Sequence, residues 1–230
     1  GDEPSLMAKS LPGIPIVVDS KRHRGGMFLV DNFKPEIIVL DDAFQHRRIE
    51  RDLDIVLING KDKKTDHKLV PFGLLREPLS SLKRADVLIF TKINLMQPND
   101  FLNKTIKSAR KPYFSSSLEA ETPISFEGEP FLVKKGAKAV ALSAIADTKG
   151  FLTTLKQLNI EIVDHYDFVD HYNYRQADLE RVAKHIKSLD VSVVITTEKD
   201  MIKLAPLDLL GIKIYSVKVS FCMEKNDEKK

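Results

Sequence analysis

An apolar run closed by two carboxylates, Ile37-Ile38-Val39-Leu40-Asp41-Asp42, is the stretch of this sequence best suited to chemistry. A buried strand ending in Asp is how phosphoryl-transfer enzymes set a carboxylate beside Mg²⁺, which takes hard oxygen ligands and keeps its waters. The polar and basic stretch Ala43-Phe44-Gln45-His46-Arg47-Arg48 follows at once. On pattern alone, the Asp pair would serve equally well as the cap of a short helix. Asp2 and Glu3, in Gly1-Asp2-Glu3-Pro4, read by themselves as first-turn acids that complement a helix dipole. Pro71-Phe72-Gly73-Leu74-Leu75-Arg76-Glu77-Pro78 is a loop fixed by Gly and Pro that presents Arg76, either to an anion or to Glu77 as an ordinary ion pair. Asp-His-Tyr occurs twice, at Asp164-His165-Tyr166 and Asp170-His171-Tyr172, and only one copy need do more than sit in the fold. Thr196-Thr197-Glu198-Lys199-Asp200 starts a helix, either to meet a phosphate or as a plain Thr cap.

Two common devices are missing from the sequence. None of its ten glycines opens Gly-x-x-x-x-Gly-Lys-[Ser/Thr] or Gly-x-Gly-x-x-Gly, so there is no phosphate cradle. No Gly-x-Ser-x-Gly nucleophile motif occurs either.

Elements must hold these residues, and the composition allows them. The 230 residues include 43% hydrophobic and 30% charged side chains with a net charge of +3. That is enough apolar material for a core, without the one-sign excess of a nucleic-acid coat. The single cysteine, Cys222, can form no intramolecular disulfide and fits a reducing compartment. No apolar run reaches the length of a spanning helix. The chain opens on Gly1, with no signal-type segment behind it, as a piece of a longer protein would.

Four short runs read as strands covered on both faces: 14–18, 36–40, 54–58 and 86–90. Helices are expected over 3–9, after Arg22 and over 99–109, where Pro98 stands near the start. The Ser115-Ser116-Ser117 run, Pro123 and the Glu127-Gly128-Glu129-Pro130 turn suggest a two-stranded hairpin linker. Beyond it, strands at 138–143, 161–163, 191–196 and 212–219 alternate with helices at 148–158 and 175–189. The expected architecture is α/β, with a lobe over 1–114, a hairpin linker over 115–136 and a smaller α/β lobe over 137–230. In open parallel sheets, ligands gather at the carboxyl ends of strands, where the stretches above fall.

Together these stretches resemble the tetraacyldisaccharide 4′-kinase family of lipid A biosynthesis. The matching pieces are Gly1-Asp2-Glu3-Pro4, Asp41-Asp42-Ala43-Phe44-Gln45-His46, Arg51-Asp52-Leu53-Asp54, Leu75-Arg76-Glu77-Pro78, Arg84-Ala85-Asp86, Phe168-Val169-Asp170-His171-Tyr172 and Thr197-Glu198-Lys199-Asp200. They run in the family's order over nearly the whole chain. The resemblance implies a P-loop-NTPase-like enzyme that uses ATP and Mg²⁺ to phosphorylate the 4′-hydroxyl of a tetraacylated glucosamine disaccharide 1-phosphate. It also implies a monomer acting peripherally at the cytoplasmic face of a Gram-negative inner membrane, with no nucleic-acid partner, this piece itself being soluble. Carried over by position, Asp2 matches the catalytic base and His171 the histidine that pairs with it from the other lobe. Glu3, Asp41 and Asp42 match acidic nucleotide and Mg²⁺ positions, while Arg22, His46 and Arg76 match positions near the lipid headgroup and phosphates. Two departures stand out. The family's P-loop and membrane-facing helix are not in this sequence, so the chain alone is expected neither to bind ATP tightly nor to turn over. Ala43 stands where the family usually has Gly, a costly change only if that residue needs φ > 0. Two other functions compete: a metal-dependent phosphoesterase built on Asp41, Asp42, His46, Asp170 and His171, and a non-catalytic α/β binding module.

Overall fold

The computed structural model describes residues 2–133 and 136–224, with Asp2 represented by its backbone. In chain order the elements are α1 (Asp2–Ser10), α2 (Arg22–Phe33), β1 (Ile55–Asn59), a 3₁₀ helix (Leu79–Arg84), β2 (Val87–Thr91), α3 (Asp100–Ala109), β3 (Tyr113–Ala120) and β4 (Ile124–Ser125). They continue with β5 (Lys138–Ser143), α4 (Thr148–Gln157), β6 (Glu161–Asp167), α5 (Gln176–Ser188), β7 (Val193–Thr197), α6 (Glu198–Leu204), β8 (Lys213–Val217) and β9 (Val219–Met223). The chain divides into two compact units. One is Val17–Leu118 with Phe221–Lys230, and the other is Gly1–Ile16 with Glu119–Ser220.

The unit centred on residues 17–118 has a sheet in the order β1-β2-β3-β9, with β1, β2 and β3 parallel. Ile58, Leu88 and Phe90 from the sheet, Leu82 and Ala85 from the 3₁₀ turn, and Leu102 and Ile106 from α3 form its core. Asn99 caps α3 by accepting from the Leu102 N–H at 3.1 Å, as expected for a helix start one residue after Pro98. Two of the pieces that carry the resemblance, 51–54 and 84–86, lock the strand starts. Arg51 grips Asp54 with two hydrogen bonds of 2.7 and 3.0 Å, the Asp54 N–H donates to Asp86 Oδ2 at 2.8 Å, and the Asp86 N–H donates to the Asp54 carbonyl at 2.8 Å. These hydrogen bonds tie the start of β1 to that of β2.

The other unit holds the order β4-β8-β7-β5-β6, parallel apart from β4. Alternate residues of its central strands feed two cores. Val140, Leu142 and Val194 meet Leu179, Val182, Ile186 and Met201 of α5 and α6. Ala139, Ala141 and Ile195 meet Phe151 and Leu155 of α4. A parallel sheet covered on both faces needs such continuous apolar strands, and 138–143 is found as the sequence predicts.

Several expectations are corrected. Residues 14–18 and 36–40 form no strand among the described residues; Ile37 and Val39 are 80% and 87% exposed. Apolar, β-branched sequence makes a strand only where a neighbour completes its hydrogen bonds, and no described strand lies beside them. The serine run, read as linker, lies in the eight-residue β3. Ser116 is buried because its hydroxyl donates to the Phe90 carbonyl at 3.2 Å. The turn itself is present, with Gly128 at φ +84° and the Ser125 N–H donating to the Glu129 carbonyl at 2.9 Å. It lies inside the 119–220 unit. Finally, α1 packs on α6 and belongs with residues 119–220, whereas the sequence division joins it to the first lobe and places Asp2 apart from His171.

Candidate functional site

In the 119–220 unit, residues 169–172 make a tight turn closed by a 3.0 Å hydrogen bond from the Tyr172 N–H to the Val169 carbonyl. His171 sits in it at φ +61°, a conformation uncommon for a side-chain-bearing residue and one that surrounding contacts must impose. Its N–H donates to its neighbour's Asp170 Oδ1 at 3.0 Å and shares the Ala144 carbonyl at 3.3 Å. Ala144 is itself held, because its N–H donates to Asp200 Oδ2 at 3.0 Å. Thr197 caps α6 and donates to the same carboxylate oxygen at 2.8 Å. The Thr197-to-Asp200 stretch is therefore a capped start whose N–H is already taken, and its buried Asp braces the loop that holds His171. Phe168 stacks on Tyr172 at 4.7 Å, and the Tyr172 carbonyl accepts from Lys203 Nζ at 3.1 Å. Tyr174 is buried beside this network, and its burial, followed by the charge of Asp200, pushes its ionisation far above the ordinary tyrosine range.

The His171 ring remains more than half exposed, and Lys199 comes to it from α6. Its ammonium lies 3.1 Å from Asp170 Oδ1 and 3.4 Å from His171 Nε2. Partial burial works against the charge of Asp170. The hydrogen bond and charge of Lys199 overcome it and keep that carboxyl below its usual range. The first Asp-His-Tyr copy lies in β6 and is structural. His165 Nε2 is 2.9 Å from Ser143 Oγ, and burial pushes its pKa down from 6.5. Tyr166 pairs with His185 Nδ1 at 2.8 Å.

In the 17–118 unit, Asp42 occupies the left-handed region at φ +47° and is bound by Arg76 at 2.6 Å. Ala43 is buried and is not among the residues with positive φ, so its departure from Gly carries no backbone strain. Arg76 does not pair with Glu77, as the plain reading of that loop has it. Glu77 is taken by Arg84 at 2.6 Å, and the Arg84 guanidinium also covers the Phe44 ring at 4.5 Å. Gly73 lets the loop close, because a Cβ there would strike the backbone of Lys68. Asp41 and His46 are exposed nearby in sequence, and the His46 carbonyl accepts from Arg51 at 2.8 Å. Half-buried Arg22 donates from Nη1 to the Asp19 carbonyl at 3.1 Å, while its buried Nε has no acceptor among the described residues. Exposed Glu3 lies in α1. The structure thus joins Asp42 with Arg76, and His171 with Asp170 and Lys199. The side chain of Asp2 lies outside the described residues, as does Gly1.

No group of three or more His, Cys, Asp and Glu side chains gathers to hold a metal among the described residues, which is the geometry the phosphoesterase alternative requires. Adjacent Asp41 and Asp42 still fit Mg²⁺, which commonly takes one or two carboxylates and draws its other ligands from water and phosphate oxygens. Lys199 and Asp200 lie in a motif that sequence reasoning singled out, but their partners, Ala144 and the His171 turn, are distant in sequence.

Parallel-sheet α/β units with an Asp–Arg corner on one and a braced Asp-His-Lys corner on the other define a mixed α/β protein of P-loop-NTPase-like build. A family model described as tetraacyldisaccharide-1-P 4′-kinase matches residues 1–230, and the chain belongs to that family. It is 37% identical to tetraacyldisaccharide 4′-kinase of Aquifex aeolicus, over 89% of this chain and 60% of that protein. For the protein of the same name from Halothermothrix orenii, identity is 33% over 91% of this chain and 59% of the relative. A crystal structure of LpxK from Aquifex aeolicus in complex with ATP aligns with a TM-score of 0.73 at 32% identity, covering 99% of this chain and 66% of that one. The chain thus spans about three-fifths of the length of these curated relatives. No helix among the described residues is long and apolar enough to cross a membrane.

Proposed function

We propose that this chain is the greater part of an ATP-dependent kinase that phosphorylates the 4′-hydroxyl of a tetraacylated glucosamine disaccharide 1-phosphate, the lipid A precursor. Family membership supports the reaction class, and the braced His171 turn is the structural observation that carries the site assignment. A sugar hydroxyl is a poor nucleophile, so its proton must leave as the phosphoryl group arrives. Asp2, in the first turn of α1, is the proposed base. His171, fixed by Ala144, Asp170 and Lys199, orients it; α1 packs on α6, the helix that carries Lys199. Asp41 and Asp42 would hold Mg²⁺, which when bound would offset charge on the nucleotide phosphates. Arg22, His46 and Arg76 would meet acceptor and phosphate oxygens, Arg22 through an Nε that has no acceptor among the described residues. The setting is the cytoplasmic face of the inner membrane, reached peripherally by a monomer.

The sequence contains no phosphate-cradling motif, so the 230 residues alone bind ATP weakly and turn over slowly. The test compares ATP-dependent phosphorylation of the disaccharide 1-phosphate by this chain and by a fusion carrying the portion of the Aquifex aeolicus relative that it does not cover. Activity in the fusion and little in the chain alone is expected. Equal activity in both would overturn the second statement, and none in either would overturn the first.

A further inference from the structure

We infer that a cavity inside the 17–118 unit binds a small aliphatic alcohol, its hydroxyl bridging His67 and Asp62 and its chain lying on an aliphatic wall. The cavity has a volume of about 110 Å³. Ile58 of β1, Leu79 and Leu82 of the 3₁₀ helix, Leu102 and Ile106 of α3, and Leu75 of the 66–76 loop line it, with His67 and Asp62 as its polar end. The His67 side chain is only 5% exposed, and neither Nδ1 nor Nε2 has a hydrogen-bond partner among the described residues. A neutral imidazole carries one N–H donor and one lone pair, and leaving either unpaired in a buried place is costly. Asp62 Oδ2 lies 3.6 Å from Nε2. That is too far for a direct hydrogen bond and close enough for one oxygen atom to reach both groups.

The backbone holds this gap. The Asp62 N–H donates to the Asn59 carbonyl at 3.0 Å, and the Asp62 carbonyl accepts from Asn99 Nδ2 at 2.8 Å. Around His67 the loop closes on itself, the Leu74 N–H donating to the Asp66 carbonyl at 2.8 Å and the Leu75 N–H to the Lys68 carbonyl at 3.0 Å. The ring rests on Phe101, with centroids 5.4 Å apart. The class of the occupant follows from these neighbours. A hydroxyl donates and accepts, so it serves the carboxylate and whichever ring nitrogen faces it. A carboxylate ligand would meet the like charge of Asp62. An ammonium has no lone pair for an imidazole N–H and would leave water for aliphatic walls. Water would satisfy the polar end alone, whereas apolar walls favour an apolar occupant. A dry cavity of about 150 Å³ takes benzene, so this smaller one suits a chain of roughly three carbons.

The site is independent of the phosphoryl-transfer reading, and its test needs no kinase activity. The 230-residue chain is titrated with propan-1-ol and followed by nitrogen-15 NMR of its amides, with propylammonium and propionate run beside it. The expected result is saturable shifts at Ile58, Leu75, Leu82 and Leu102, with a Kd on the order of millimolar. His67→Phe keeps the ring packing and removes both nitrogens, and should bind at least about tenfold more weakly. Shifts that grow linearly or scatter over the surface would show that water alone enters, and would overturn the site whether or not the variant folds. Undiminished affinity in folded His67→Phe would overturn recognition by the imidazole. Tighter binding of propylammonium or propionate would overturn the assignment of an alcohol.

Discussion

Replacing Asp200 by Ala should destabilise the 119–220 unit and loosen His171 together. The carboxylate is fully buried and accepts hydrogen bonds from the Ala144 N–H at 3.0 Å and the Thr197 hydroxyl at 2.8 Å. Deleting it leaves a buried N–H without an acceptor, which costs about 1–3 kcal/mol, and removes a second bond worth about 1 kcal/mol. Release of a buried carboxylate from its desolvation penalty opposes this. The net loss should be about 2–4 kcal/mol, or a fall in Tm of about 4–16 °C for a chain of this length. Urea unfolding measures the first quantity, and amide hydrogen exchange at His171 measures the second, because the Ala144 carbonyl that accepts its N–H loses its brace. Asp200→Asn keeps the shape and one acceptor and should lose less than half as much. A Asp200→Ala protein within about 0.5 kcal/mol of wild type, with unchanged exchange at His171, would refute the bracing role.

Gly73→Ala should displace the 66–76 loop, since the new methyl meets the Lys68 backbone; about 1–3 kcal/mol of overpacking and faster proteolysis at that loop are expected in urea titration and limited digestion. Stability should also fall as pH drops below 6.5. Burial holds the folded-state pKa of His165 under that value, so the unfolded chain binds its proton first; this contribution is whole above 6.5 and lost as pH falls toward the depressed value. His165→Asn should flatten that part of the stability curve, and an identical slope in the variant would contradict the assignment. Arg76→Ala should leave the urea midpoint unchanged, because its pair with Asp42 is solvent-exposed, while weakening acceptor binding by the fusion protein.

Periodicity located helices and central strands well because burial imposes it. The stripe Leu179, Val182, Ala183 and Ile186 and the run at 138–143 are where pattern predicts them. It failed where partners decide. Ile37 and Val39 have strand-forming side chains but no adjacent described strand, and Ser116 reads as linker yet is buried by a hydrogen bond to a residue 26 positions away. At the site, the Asp pair, Arg76 and His171 were legible as residue types. What each touches was not: Arg76 selects Asp42 over its neighbour Glu77, 34 positions separate that pair, and 28 separate Lys199 from His171. Arg51, Asp54 and Asp86 were legible only as pieces of the family resemblance; their hydrogen bonds to one another at the strand starts join residues up to 32 positions apart, because a strand start needs its hydrogen bonds satisfied.

The most direct measurement is transfer of labelled γ-phosphate from ATP to the tetraacylated disaccharide 1-phosphate by the fusion protein, run beside its Asp42→Asn and His171→Ala forms at matched folding. Label should appear at the 4′-position with the parent fusion and fall at least about a hundredfold in each variant, as expected when one group of an acid–base or electrostatic set is removed. Full incorporation by His171→Ala, or label arriving with no dependence on Asp42, would contradict the assignment of this site.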